Sequence, residues 1–310
     1  MIELERVTCR FGSFAAVEDL TLRIAEGEFL VLLGASGSGK STTLRLINRL
    51  VEASAGTIRF RGEDVARLRP EALRRRMGYV IQGGGLFPHW TVERNIATVP
   101  ALLGWPAARI AARVTELLAL LRLDAARLRG AYPHQLSGGQ QQRVGVARAL
   151  AAHPEVLLMD EPFGALDPIT RAELQAEMRR IHRETSTTVV FVTHDVDEAL
   201  GLATRIALID GGRLAQARAP IEVLTRPASD LVRSFIGAEE GGLRLLAVQS
   251  AGDRMRAGES APGTPIAAAL SLRAALSEMI ARQADRLPVA DAEGRSAGVL
   301  HLADLVRQTP

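Results

Sequence analysis

The chain has 310 residues, with 38 Lys+Arg against 35 Asp+Glu and a formal net charge of +3, a surplus too small to argue for a nucleic-acid partner. Its single cysteine, Cys9, excludes an intrachain disulfide and fits a reducing compartment. No basic-then-apolar leader is visible and no uncharged apolar run approaches the roughly 18 residues of a membrane span, so the expectation is a soluble, cytosolic protein of two domains, or of one large and one small.

Residues 2–9 and 16–24 alternate apolar and polar side chains, which predicts antiparallel strands at the start of the chain. Phe29-Leu-Val-Leu-Leu33 reads as a buried strand and residues 41–50 as a helix, with Gly34-Ala-Ser-Gly-Ser-Gly-Lys-Ser41 between them. Lys40 is the only lysine; the other residues of the Lys+Arg total are all arginine. The spacing G-x-x-x-x-G-K-[ST] is that of a P-loop, whose backbone N–H groups cradle phosphates while a compact ammonium reaches the β and γ oxygens. A planar, forked guanidinium does not fit that slot. The N-terminus of the following helix adds its partial positive charge. The motif in this strand-to-helix context predicts binding of a nucleoside triphosphate.

Further along, Arg74-Arg75-Arg76 reads as a solvated helix face, with a contact to anionic lipid or a partner as the alternative, residues 77–81 as a strand ending at Gln82, and residues 92–150 as a helical stretch. Strands return at 156–159, 188–192 and 206–209, with helices at 169–184 and 195–203. That alternation predicts a largely parallel sheet with crossovers. Ala238-Glu-Glu-Gly-Gly242 reads as a linker, and a small α/β unit comes after it, with a helix at 272–283 and a strand at 287–290.

Leu136-Ser-Gly-Gly-Gln140 precedes a helical run at 141–151. Ser137 suits an N-cap, and Gly138 and Gly139 leave N–H groups open toward an anion. Val156-Leu-Leu-Met-Asp160 is an apolar strand ending in a carboxylate suited to hold Mg²⁺ through water, and Glu161 beside it is placed to polarise an attacking water. Gln82 and His194, each just past a strand, are candidates to sense the γ-phosphate, Gln82 the metal as well. Taken singly, each has an ordinary structural reading as a strand-end polar residue, a capping acid or a surface histidine. Their order along one chain carries the weight.

This set resembles the ATP-binding subunit of ABC transporters over residues 1–236. The resemblance implies an α/β P-loop NTPase fold, with an antiparallel β subdomain and a helical subdomain at about 92–150, in an ATP-binding domain reaching residue 237. ATP and Mg²⁺ are the implied cofactors. Phe11 is implied as the aromatic stacked on adenine, and Gly34, Ala35, Ser36, Gly37, Ser38, Gly39, Lys40, Ser41 and Thr42 as the P-loop. Ser137, Gly138, Gly139 and Gln140 belong to the signature, which in that family closes over ATP held by a second subunit. Ser41, Gln82 and Asp160 are the implied metal residues, and Glu161 is the catalytic base, with Gln82 and His194 completing the catalytic set. Ala165-Leu166-Asp167 matches the D-loop.

One copy of each motif implies a dimer with two composite sites, formed with a second copy or with a similar ATPase subunit. Membrane permease subunits are the implied partners, with an extracytoplasmic substrate-binding protein engaged indirectly and no nucleic acid. The implied place is the cytoplasmic face of the inner membrane, as a peripheral subunit. Within the family, Gly85-Leu-Phe-Pro-His-Trp-Thr-Val-Glu-Arg-Asn-Ile-Ala-Thr-Val-Pro100, Leu103-Gly-Trp-Pro106 and Gly164-Ala-Leu-Asp-Pro-Ile-Thr-Arg171 look like the import ATPases for quaternary amines such as glycine betaine, choline and carnitine. Gly83-Gly84-Gly85 departs from the bulkier residues of those proteins. An importer ATPase for another small solute, or a non-transport ABC ATPase, is the alternative. Residues 243–310 resemble a single CBS-type regulatory repeat through Leu272-Arg-Ala-Ala-Leu276, Arg286-Leu-Pro-Val-Ala-Asp-Ala-Glu-Gly-Arg295 and Gly298-Val-Leu-His-Leu-Ala-Asp304. Such repeats pair, so pairing across the dimer is implied; a stabilising dimerisation appendage is the other reading.

Overall fold

The computed structural model describes residues 1–306 apart from Gly84, Ala165, Ala238 and Glu239. Two compact units divide at Arg218/Ala219. In the first, Ile2–Phe11 lies between Phe14–Ile24 and Ala55–Phe60, with the short Glu63–Asp64 at the edge, all antiparallel. Ile2 and Leu4 are buried and so are Val7 and Cys9, so the inward alternation slips by one residue between them. Arg6, at φ 46°, sits in that slip, and the pairing registers shift there as at a β-bulge.

The second sheet of this unit has the order Arg213–Arg218, Arg205–Asp210, Phe29–Leu33, Thr188–Thr193, Val156–Asp160, Met77–Val80. The first strand runs antiparallel to its neighbour and the other five are parallel. Phe29–Leu33, Val156–Asp160 and Thr188–Thr193 are buried at every position, as strands covered on both faces must be, which is why they read as unbroken apolar runs. Leu33 pairs with Thr193, Asp160 with Val192 and Met159 with Val80. The carboxyl ends of these strands are therefore level, and the loops that leave them emerge together at one edge of the sheet. Val92–Leu102, Ala107–Leu120 and Gly138–Leu150 pack together as a helical group, with the shorter Ala125–Leu128 against Ala107–Leu120.

The second unit contains the helices Pro220–Thr225, Asp230–Ile236, Gly241–Val248 and Ala251–Arg254 ahead of a four-stranded sheet. That sheet has the order Arg256–Ala257, Ser296–His301, Arg286–Ala290, Ile266–Ala267. Leu272–Arg282 connects the parallel pair Ile266–Ala267 and Arg286–Ala290, and its Leu272, Ala275 and Met279 pack on Leu287, Val289 and Leu300. The boundary differs from the one read in the sequence. Gly241 and Gly242, assigned there to a linker, open a helix that packs on Pro220–Thr225, while Ala238 and Glu239 lie outside the described residues. Among the described residues no helix is long and apolar enough to cross a membrane.

Candidate active site

The P-loop residues bend tightly around Lys40. Its Nζ donates to the carbonyls of Gly34 (2.8 Å) and Ala35 (2.6 Å) and lies 3.4 Å from Ser38 Oγ, with only 4% of the residue exposed. Burial pushes the ammonium pKa down, against the upward pull of the Glu161 and Asp160 carboxylates. Gly39 caps the helix Lys40–Ile47 at φ 102°, and a Cβ there would stand 2.3 Å from the Ala16 carbonyl, so no other residue fits. Gly212, in the hairpin after Arg205–Asp210, donates its N–H to the Ser38 carbonyl (3.0 Å) and braces the loop from the opposite side.

Asp160, 5% exposed, accepts the Ser41 hydroxyl at 2.6 Å and faces Arg45 at 3.9 Å. Burial, and then the Asp160 carboxylate, push the Tyr79 phenol pKa up, with Arg45 opposing. The paired oxygens of Ser41 and Asp160 are hard donors of the kind Mg²⁺ prefers, and they lie beside the phosphate loop, so the residues present fit that ion. Glu161 has the left-handed φ of 42°, rare away from glycine. Its N–H donates to the Val192 carbonyl (3.1 Å) and its carbonyl accepts from Gly164 N–H (3.3 Å), which holds the strained backbone in place. Gln82 Nε2 lies 3.5 Å from one Glu161 oxygen and His194 Nδ1 3.5 Å from the other. The carboxylate thus stands between the amide and the imidazole.

Gln82 lies two residues beyond the strand Met77–Val80 rather than at its end. Phe11 is the last residue of Ile2–Phe11, 52% exposed, and is paired in register with Phe14, 61% exposed. The hairpin tip therefore offers two aromatic faces to solvent, of which the sequence pattern pointed to one. Ser137 caps Gly138–Leu150 by accepting Gln140 N–H (3.3 Å), and Gln140 returns the bond by accepting Ser137 N–H (3.0 Å). A Cβ on Gly139 would meet the Thr170 methyl at 2.4 Å, so this turn packs directly against the helix Pro168–Thr185. No hydrogen bond among the described residues joins Ser137, Gly138, Gly139 or Gln140 to residues 34–42. Asp167 caps Pro168–Thr185 through Ile169 and Thr170 N–H; Ala165 lies outside the described residues.

Residues 17–164 match the family model described as ABC transporter. The chain is 57% identical over 306 residues to the "Glycine betaine uptake system ATP-binding protein YehX" of Escherichia coli (strain K12), covering 99% of each. It belongs to the family of ABC transporter ATP-binding proteins. A second ABC relative, the "Glycine betaine/carnitine/choline transport ATP-binding protein OpuCA" of Bacillus subtilis (strain 168), is 47% identical over 294 residues, which is 94% of this chain and 76% of that protein. Among solved structures, the post-hydrolysis dimer of the ATP-binding cassette MJ0796 bound to ADP and Pi superposes with a TM-score of 0.64 at 33% identity, over 71% of this chain and 99% of that one. This ABC chain thus has the P-loop NTPase fold and is an ATP-binding ATPase.

Sequence reasoning passed over Arg45, Tyr79, Thr193 and Glu198 near this ABC site. Asp195 accepts Asp197 N–H (2.8 Å) and Glu198 N–H (3.1 Å) at the start of Val196–Leu202. The spacing Asp-x-x-Glu at a helix start was the legible signal for Glu198.

Proposed function

We propose that the chain is the energy-coupling subunit of an importer for quaternary-amine osmoprotectants of the glycine betaine, choline and carnitine type. The placement of the Glu161 carboxylate between Gln82 and His194, next to the Ser41–Asp160 pair and the buried Lys40, carries the hydrolytic part of this reading. Lys40 and the amides of residues 34–42 hold the phosphates, and Phe11 stacks on the base. Ser41, Gln82 and Asp160 would hold Mg²⁺, which would supply charge neutralisation at the phosphates. Glu161 accepts the proton of the attacking water and Gln82 orients it, while His194 lies against the γ-phosphate. Ser137, Gly138, Gly139 and Gln140 serve the nucleotide of a second ATPase subunit, a reading supported by the family resemblance and by the dimeric state of the MJ0796 cassette.

The cargo is supported by the names of the relatives. The segment after Gln82 contacts membrane permease subunits at the cytoplasmic face, a binding protein acts on the far side, and residues 243–310 act as one CBS-like regulatory or dimerising unit. Glu161→Gln tests the core of this reading. The amide cannot take the proton, so hydrolysis slows by orders of magnitude while ATP binding persists, and the variant accumulates as an ATP-bound dimer. A monomer on size exclusion with saturating ATP and Mg²⁺ would count against two composite sites. Uptake of glycine betaine into liposomes holding the permease, with sulfate as control, tests the cargo.

A further inference from the structure

His194 is the proposed γ-phosphate residue, yet its own side chain is loosely held. It is 56% exposed, and its imidazole faces Glu161 at 3.5 Å, longer than a firm ion-pair hydrogen bond. Beside it lies a cavity of about 50 Å³ lined by Glu161, Gly164, Arg171, Thr193, Asp195 and Glu198, with His194 itself as the remaining wall. That is room for water rather than a packed wall, so close packing does not set the imidazole. The backbone on either side of it is fixed instead.

The Thr193 hydroxyl accepts Asp195 N–H (3.0 Å), closing a turn across His194, and donates to Glu198 Oε2 (2.7 Å). Glu198 is 6% exposed, and burial pushes its carboxyl pKa up. Arg171 lies 3.8 Å from both Glu198 and Asp195 and donates to the Leu166 carbonyl (3.1 Å), in the loop that leads into Asp167. The Gln175 side chain hydrogen-bonds the same carboxylate, and a buried carboxylate held by a hydroxyl, an amide and a facing guanidinium is costly to keep unless its direction matters.

We propose that Thr193, Glu198 and Arg171 are positioning residues that set His194 against Glu161 and tie that setting to the loop carrying Asp167. The proposal rests on the γ-phosphate role of His194. When the Leu166–Asp167 loop shifts, Arg171 shifts with it, the Glu198 carboxylate moves in turn, and the turn at Thr193–Asp195 re-aims the imidazole. The hydroxyl is the narrowest part of this relay, and it can be deleted without changing volume.

The test is steady-state ATP hydrolysis by the full chain in His194→Ala, Thr193→Ser, Thr193→Val, Glu198→Gln and the double variant His194→Ala/Thr193→Val. Thr193→Ser keeps the hydroxyl and is expected to turn over as the parent does. Thr193→Val removes it and is expected to lower kcat about 10-fold or more with KM within about 2-fold, as misplaced catalytic groups do. With His194 already gone, Thr193→Val is expected to cost nothing further. Parental kcat in Thr193→Val, or a loss that multiplies that of His194→Ala, overturns the relay. If Thr193→Val does not fold, Glu198→Gln carries the same expectation, with thermal unfolding and nucleotide binding measured alongside. Parental turnover in His194→Ala overturns the underlying role of His194 instead.

Discussion

The Lys40 ammonium touches two carbonyl oxygens at 2.6 and 2.8 Å inside a loop that leaves the residue 4% exposed, and no other lysine occurs in the chain. A guanidinium carries the same charge but spreads it over a plane that these carbonyls cannot enclose. Lys40→Arg is therefore expected to fold and to lose at least about 100-fold in ATP hydrolysis, the scale on which removing one preorganised donor acts. Phosphate release at saturating ATP measures it, and near-parental turnover would remove Lys40 from the phosphate site. The basic run Arg74-Arg75-Arg76 shows the opposite behaviour, because charge there does structural work. Arg74 donates to the Asn48 (3.3 Å) and Arg49 (2.5 Å) carbonyls just past the helix Lys40–Ile47, and Arg76 holds Glu155 at 2.7 Å; Arg74 and Arg75 are exposed, as the solvated face read in the sequence requires, and Arg76 is half-buried. Each of these partners is remote in sequence, which is why no local pattern announced them.

At the scale of elements, Glu155 joins pieces that the sequence shows only separately. It accepts from Arg76 beside Met77–Val80 and from Arg61 at the end of Ala55–Phe60, and these guanidinium bonds, Arg76 first, hold its carboxyl below the usual carboxylate range against the opposing effect of burial. A carboxyl whose folded pKa is depressed contributes stability above its unfolded pKa, and that contribution fades as pH falls through the folded value. Glu155→Gln is expected to cost about 1 kcal/mol at pH 7. The gap to the parent should close as pH drops below the ordinary carboxylate range; urea unfolding at pH 7 and in acid measures it. An unchanged gap in acid would assign the cost to packing.

The buried strands, the P-loop turn and the helix Pro168–Thr185, read as 169–184, were legible because each is a local pattern: an apolar run, a spacing of glycines, a helical stretch between strands. Ala55–Phe60 was not, since it buries only Ile58 and Phe60, too few positions for alternation to register. Arg213–Arg218 hides its inward face behind Gln216, a buried amide. Within the site, motif spacing reached Lys40, Asp160, Glu161 and His194. Tyr79 and Thr193 escaped because their relevance comes from what stands beside them in space.

Over the whole molecule, every residue assigned to ATP chemistry lies in the unit Met1–Arg218. A chain ending after Arg218 is expected to fold and to bind ATP. One ending near Gly241 cuts through the second unit and removes Gly241–Val248, on which Pro220–Thr225 packs, so it should aggregate more readily. Solubility and thermal unfolding of the two truncations decide this. If the second unit senses ionic strength through its arginines at anionic lipid, transport by the full chain should change as the screening length shrinks from about 10 Å at 0.1 M salt toward 3 Å at 1 M, and transport by the chain ending after Arg218 should not. The solitary lysine also gives the molecule one built-in reporter. An endoprotease specific for lysine has a single bond to cut, after a side chain enclosed by its own loop. Cleavage requires that loop to open, so at protease concentrations low enough for reclosing to outpace cleavage, the rate of appearance of one small and one large fragment follows the opening equilibrium. Nucleotide is expected to slow that scission, which would read occupancy of the cradle without a label and without turnover.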